Sequence, residues 1–198
     1  MIEELKKLKE GNQRFANGQS IHNMVSISSQ RISVAEEQHP FAIILGCSDS
    51  RVPAELVFDQ GLGDLFVIRV AGNVVAPSQI GSVEFAAIMF GSPLVVVLGH
   101  SNCGAIAATI NAMKHPEEMT SINIQSIVRR VKPAIEPLLL NSSLNQLNAD
   151  DAVKANVQKS VDQLTSSSEI IESKVVEGSL HVIGAYYDLT TGVVEFYD

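Results

Sequence analysis

Three apolar runs, FAIILG at 41–46, DLFVIRV at 64–70 and LVVVLG at 94–99, constrain this chain more than any other feature. They are nearly continuous rather than alternating, so they do not describe strands with one wet face. The helical segments PAELVFDQ, QIGSVEFAAIMFG and GAIAATINAM are interspersed with them. Continuous strands bounded by glycine or proline and separated by helices are the mark of parallel strands covered on both faces. The expected fold is α/β, with a mainly parallel central sheet flanked by helices. No apolar run approaches the ~20 residues needed to cross a bilayer, so no membrane partner is expected.

The flanks read differently. Ile2, Leu5, Leu8 and Phe15 recur at helical spacing among charges, which predicts a helix docked by one face and ending near Gly18. Ser20 to Gln38 reads as polar and irregular. From Pro116 to about Gly178 the pattern is helical and polar, with Pro133 and Pro137 expected to break it. Ser143 to Gln146 resembles a capping box. The final HVIGAYYDLTTGVVEFYD predicts a C-terminal strand pair about a turn at Thr190 to Gly192. The expected organisation is one domain over 1–198, with an N-terminal helical arm over 1–35 and an α/β core over 36–198. The start of the chain lacks the apolar stretch of a secretory signal, and a cytoplasmic protein is expected. Fourteen basic against 22 acidic side chains give a net charge of −8. Without a basic cluster, nucleic acid is not an expected partner. Small molecules and copies of the chain itself are.

Only two cysteines are present, Cys47 and Cys103. Cys47 follows the first apolar run directly, and His100 follows LVVVLG in the same way. Both should therefore sit at carboxyl ends of strands, where open parallel sheets bind ligands. Cys103 lies three residues after His100, at the expected start of a helix. A helix N-terminus favours a thiolate, the form a metal requires. Two thiolates and an imidazole make an open zinc site with a fourth position for water or substrate. Taken singly, each residue has a plainer reading as a small core cysteine, a satisfied core histidine or half of a redox pair. Their conjunction is what favours metal.

Asp49 and Arg51 follow Cys47 in the pattern C-x-D-x-R, and alternate residues of an extended segment share a face. Arg51 is expected to hold Asp49 through a bidentate pair, aiming it at metal-bound water. A plain surface ion pair is the simpler alternative. The backbone N–H of Gly104 is a candidate to stabilise a negative oxygen. Other motifs fail: Gly99 and Gly104 are followed by Ala105 and Ile106, where a phosphate loop needs Lys and Ser or Thr, and Phe66 stands where a dinucleotide fingerprint needs its third glycine.

CSDSR at 47–51 together with GHSNCGA at 99–105 resembles the signature of the β-class carbonic anhydrases, and EGNQRF, DLFVIRVAGN and GAYYDLTTGVV extend the similarity over nearly the whole chain. The resemblance implies zinc held by Cys47, His100 and Cys103, and reversible hydration of carbon dioxide to bicarbonate and a proton. It implies Asp49 and Arg51 as a dyad beside the metal. It implies Gln38 as a hydrogen-bond donor to substrate and Phe66 as an aromatic wall of the pocket. Phe85 falls where many members carry tyrosine, so that hydroxyl is missing here. The bicarbonate-regulated subgroup carries tryptophan where this chain has Ile44. With no tryptophan anywhere, the chain is similar to the plant-like, accessible subgroup. The resemblance further implies a homodimer, alone or as a dimer of dimers, with the pocket at the interface, so that Gln38 and Phe66 serve the other chain's site. At lower pH, Asp49 is expected to leave Arg51 and close the fourth metal position. The alternatives are a carbon disulfide or carbonyl sulfide hydrolase on the same scaffold and a non-catalytic zinc-binding protein.

Overall fold

The three apolar runs become β1 (Ala42–Gly46), β2 (Leu65–Arg69) and β3 (Leu94–His100) in the computed structural model, which describes residues 2–22, 30–118, 121–140 and 143–197. β1 and β3 are buried along their whole length, which is why their sequences show no alternation. β2 and β3 flank β1, and both run parallel to it. β4 (His181–Tyr187) lies parallel to β3, and β5 (Val194–Tyr197) lies antiparallel to β4. The terminal strand pair therefore extends the central sheet, whose order is β2-β1-β3-β4-β5.

Successive side chains of a strand point to opposite faces, and both faces are covered. Ile44, Val96 and Leu98 pack with Leu5 and Leu8 of α1 (Glu3–Ala16) and with Val57 of α2 (Ala54–Val57). Ile43, Leu45, Val95 and Val97 pack on the other face against α3 (Pro77–Met89), α6 (Ala149–Ser166) and α7 (Glu169–Val176). α4 (Gly104–Lys114) and α5 (Ile122–Ile135) complete a third cluster, which includes both cysteines. α6 comes close to β3 because Gly99 has no side chain: a Cβ there would lie 2.5 Å from Val157 Cγ2. No helix among the described residues is long and apolar enough to cross a membrane.

Three local expectations are corrected. Pro133 does not break its helix, since α5 runs on to Ile135. Proline removes one hydrogen bond there, but Val131, Ala134 and Ile135 in the same last turn are buried and hold it down. Pro137 lies in the 3₁₀ turn that follows, Glu136–Leu140. Ser143 to Gln146 form a turn closed by the Gln146 amide donating to the Ser143 carbonyl, and helix α6 starts later, where Asn148 Oδ1 accepts from the Asp150 amide. In the stretch from Ser20 to Gln38, residues 23–29 lie outside the described residues and residues 30–33 form a helical turn.

The EGNQRF segment has a structural explanation. Asn12 Nδ2 donates to the carbonyls of Val57 and Gly192, and its Oδ1 accepts from the Val194 amide, tying α1 to the far end of the chain. Arg14 Nε donates to the buried Asp59 carboxylate at 2.6 Å, and the Ile21 and His22 amides donate to the same group. Burial opposes that charge, yet the three donors together hold the carboxyl below its usual range. Gly11 lies directly against the Phe58 carbonyl, where a methyl group would collide with backbone. Gly11→Ala is expected to destabilise the protein by about 3 kcal/mol in urea unfolding, the upper part of the overpacking range, despite alanine's better helix propensity. An unchanged midpoint would mean that α1 is not seated as described.

Candidate metal centre

Parallel pairing of β1 with β3 sets Gly46 level with Leu98, so Cys47 and His100 leave the sheet side by side at its carboxyl end. After β3 the chain turns through Asn102, at φ +54, and Cys103 caps the start of α4. The sulfurs of Cys47 and Cys103 and a ring nitrogen of His100 all lie within 4.8 Å of one another. Both cysteines are free and buried.

The imidazole is oriented for ligation. His100 is fully buried, and its Nδ1 lies 2.9 Å from the Ser101 carbonyl oxygen. Donation by Nδ1–H to that carbonyl leaves Nε2 with a lone pair. Nε2 has no hydrogen-bond partner among the described residues. A buried polar atom without a partner is costly, and two thiols beside it complete a donor set that fits zinc.

The sulfurs are supplied with donors. The Gly72 amide donates to Cys47 Sγ at 3.3 Å. The Cys103 thiol is the largest of the contacts that pull the Cys47 thiol well below its ordinary range, with His100 and Gly72 adding to it. The same contact, with burial, pushes Cys103 up, although the Ile106 and Ala105 amides at the start of α4 counter it. These contacts thus favour negative charge on Cys47 and disfavour it on Cys103.

Asp49 and Arg51 form the expected pair. Arg51 donates from Nε to Oδ1 at 2.9 Å and from Nη2 to Oδ2 at 2.8 Å, and its backbone amide also reaches Oδ1. The guanidinium contact is the main reason the Asp49 carboxyl lies far below the usual carboxylate range. Oδ2 stands 3.9 Å from His100 Nε2, at the edge of the cluster. Asp49 is half-buried while Arg51 and Gly104 are exposed, so the cluster opens to the surface on the dyad's side.

Within one chain the structure does not bring Gln38, Phe66 or Phe85 to this cluster. Gln38 is exposed and precedes the amino end of β1, opposite the end that carries Cys47. Phe66 is level with Ile43, which at ~3.3 Å per residue puts it roughly 13 Å below Cys47. Phe66, Phe85 and Phe90 pack together, with ring centroids 5.7 to 6.1 Å apart.

Arg69 was missed from the sequence. Its Nε donates to the Cys47 carbonyl at 3.0 Å and its Nη2 to the Asp49 carbonyl at 2.6 Å, clamping the loop that carries both. The signal was a lone charge at the end of an otherwise apolar strand.

Comparison with known proteins points to one family. A family model described as carbonic anhydrase matches residues 42–194. A carbonic anhydrase of Mycolicibacterium smegmatis is 40% identical over 190 residues, covering 96% of this chain and 90% of that protein. Carbonic anhydrase 2 of Mycobacterium tuberculosis is 39% identical, covering 94% and 88%. Among solved structures, the β-carbonic anhydrase CcaA superposes with a TM-score of 0.78 at 27% identity, covering 98% of this chain and 87% of that one. The Coccomyxa β-carbonic anhydrase in complex with acetazolamide gives 0.73 at 28% identity, covering 98% and 86%.

Proposed function

This chain belongs to the β-class carbonic anhydrases, and from that membership we propose that it hydrates carbon dioxide reversibly at Cys47, His100 and Cys103 with zinc as cofactor. The observation that carries the metal assignment is the buried, unpartnered His100 Nε2 facing two sulfurs. When bound there, zinc would supply the Lewis acidity that lowers the pKa of a water from about 15.7 toward neutrality.

The chain's own groups do the rest. Asp49 is placed to accept the hydrogen of the reacting water, turning its lone pair toward carbon dioxide. Its two side-chain bonds from Arg51 keep it charged and fixed, so it orients the water rather than shuttling the proton. The Gly104 amide, at the start of α4, has no acceptor within the helix. It is the donor for the oxygens that gain charge as bicarbonate forms.

Gln38, Phe66 and Phe85 complete a site only from a second copy of the chain. Two observations support that arrangement: β2 is an edge strand, and next to it Phe85, Ile88 and Met89 are 49%, 54% and 63% exposed. A paired, covered edge also removes an aggregation hazard. A homodimer, alone or doubled, is the assembly assigned. A reducing cytoplasm suits the thiolates the site needs.

Zinc analysis combined with stopped-flow carbon dioxide hydration across pH tests this reading. One zinc per chain and a rate that climbs above about pH 7 are expected. Zinc without hydration at alkaline pH would favour a non-catalytic zinc protein, and faster turnover of carbon disulfide or carbonyl sulfide would favour the hydrolase. A rate that is flat from mildly acidic to alkaline pH would sink the expected low-pH closure by Asp49.

A further inference from the structure

The amide that reaches Cys47 belongs to a tight turn, closed by the Asn73 amide donating to the Val70 carbonyl at 3.0 Å. Gly72 has φ +70 and Asn73 φ +43, two left-handed residues in succession. Asparagine enters that region more readily than most residues, though less freely than glycine, so outside contacts help to fix the turn. Helix α6 provides them. Asn156 Nδ2 donates to the Gly72 carbonyl at 2.8 Å, and Ser160 Oγ donates to the Asn73 carbonyl at 3.1 Å. Both side chains are buried, at 2% and 1% exposure. Residues four apart share one helix face, so the two act on the turn together.

The chemistry at stake is electron density on sulfur. Two thiolates cancel the formal charge of a zinc ion, and each N–H aimed at a sulfur draws some of that density back. Hydrogen bonds of this kind tune metal centres as strongly as some ligands do. The Ala105 and Ile106 amides serve Cys103 as part of a regular helix start. The amide serving Cys47 has no α-helix behind it, only a turn pinned by α6 residues 84 and 87 positions away in sequence.

We propose that Asn156 is a positioning residue of the metal centre: by fixing the Gly72 carbonyl it holds the adjoining Gly72 N–H on the Cys47 sulfur. The inference rests on the zinc reading above. It makes the second helical half of the chain part of the metal site although it contributes no ligand.

The test compares wild type with Asn156→Ala in two measurements that do not use turnover. Zinc affinity by chelator competition should fall by about 10-fold or more, as for other outer-shell partners of metal ligands. In the cobalt-substituted protein, the sulfur-to-metal charge-transfer band should move to lower energy, because a thiolate without its N–H donor is more electron-rich. Ser160→Ala, which frees a carbonyl one residue further from the sulfur, should move the band less. Should Asn156→Ala fail to fold, Gly72→Ala carries the same readout. A Cβ at Gly72 would lie 3.0 Å from Ala105 Cβ and displace the amide from the other side. Affinity within twofold of wild type overturns the proposal, and so does an affinity loss with an unmoved band, which would reflect packing alone. A wild-type chain that takes up neither zinc nor cobalt defeats the metal reading itself, before any variant is made.

Discussion

Cys103→Ser is expected to leave the purified protein nearly free of zinc and to lower carbon dioxide hydration by at least about 10³-fold, because water at neutral pH offers almost no hydroxide without a metal. Serine is nearly isosteric, and Cys103 sits at the first position before α4, so the fold should survive. The alternative to be beaten is that both cysteines are only small core residues. That view has some force, since they pack with Val74, Ile106 and Val131. The two cases separate on stability. A metal that binds only the folded chain raises its stability by about 2.7 kcal/mol at a free concentration 100 times its dissociation constant. Zinc should therefore raise the melting temperature of the wild type and leave that of Cys103→Ser unmoved. Equal zinc content and equal rates in the two proteins would remove Cys103 from the site.

The second large effect is expected at Asp49. Asp49→Asn keeps the shape of the side chain but puts an amide N–H where a carboxylate oxygen accepts from Arg51 and faces the cluster. Hydration should fall by about 10²-fold, the size of loss expected when a reacting group is misplaced by about 1 Å, while zinc stays at one per chain. Arg51→Ala should cost less, since Asp49 loses its anchor but keeps its charge. Arg51→Lys should not rescue it, because an ammonium cannot reproduce the planar two-bond fork. Arg51 is exposed, so a folded protein is expected in each case. Wild-type rates in Asp49→Asn and Arg51→Ala together would reduce the pair to a surface ion pair with no part in the reaction.

Several elements are legible in the sequence alone. β1 and β3 announced themselves because strands buried on both faces have no polar positions to confuse the pattern. Cys47 and His100 could be read as candidates because they lie at the carboxyl ends of β1 and β3, where the fold class places ligands. The apolar stripe of α1 was legible for a similar reason. Leu5 and Leu8 are buried as its period requires. Local rules failed where tertiary contacts compete with them. A proline persists inside α5 because the residues around it are buried, and the Ser143 to Gln146 signal produces a turn that leads up to a helix rather than starting one.

The sequence by itself determined the fold class, the strand ends that carry Cys47 and His100, and the residue types available for chemistry. These depend on burial pattern and on spacing along a few residues, which sequence records directly. Only the tertiary structure decided which strand lies beside which, and so that Cys47 and His100 are neighbours across a parallel pair. It alone showed that Arg69 clamps the Cys47 and Asp49 carbonyls, that α6 pins the turn at Gly72, and that Gln38 and Phe66 lie at the other end of their own sheet. Such contacts join backbone groups to side chains far apart in the chain, and a backbone carbonyl leaves no trace in the sequence.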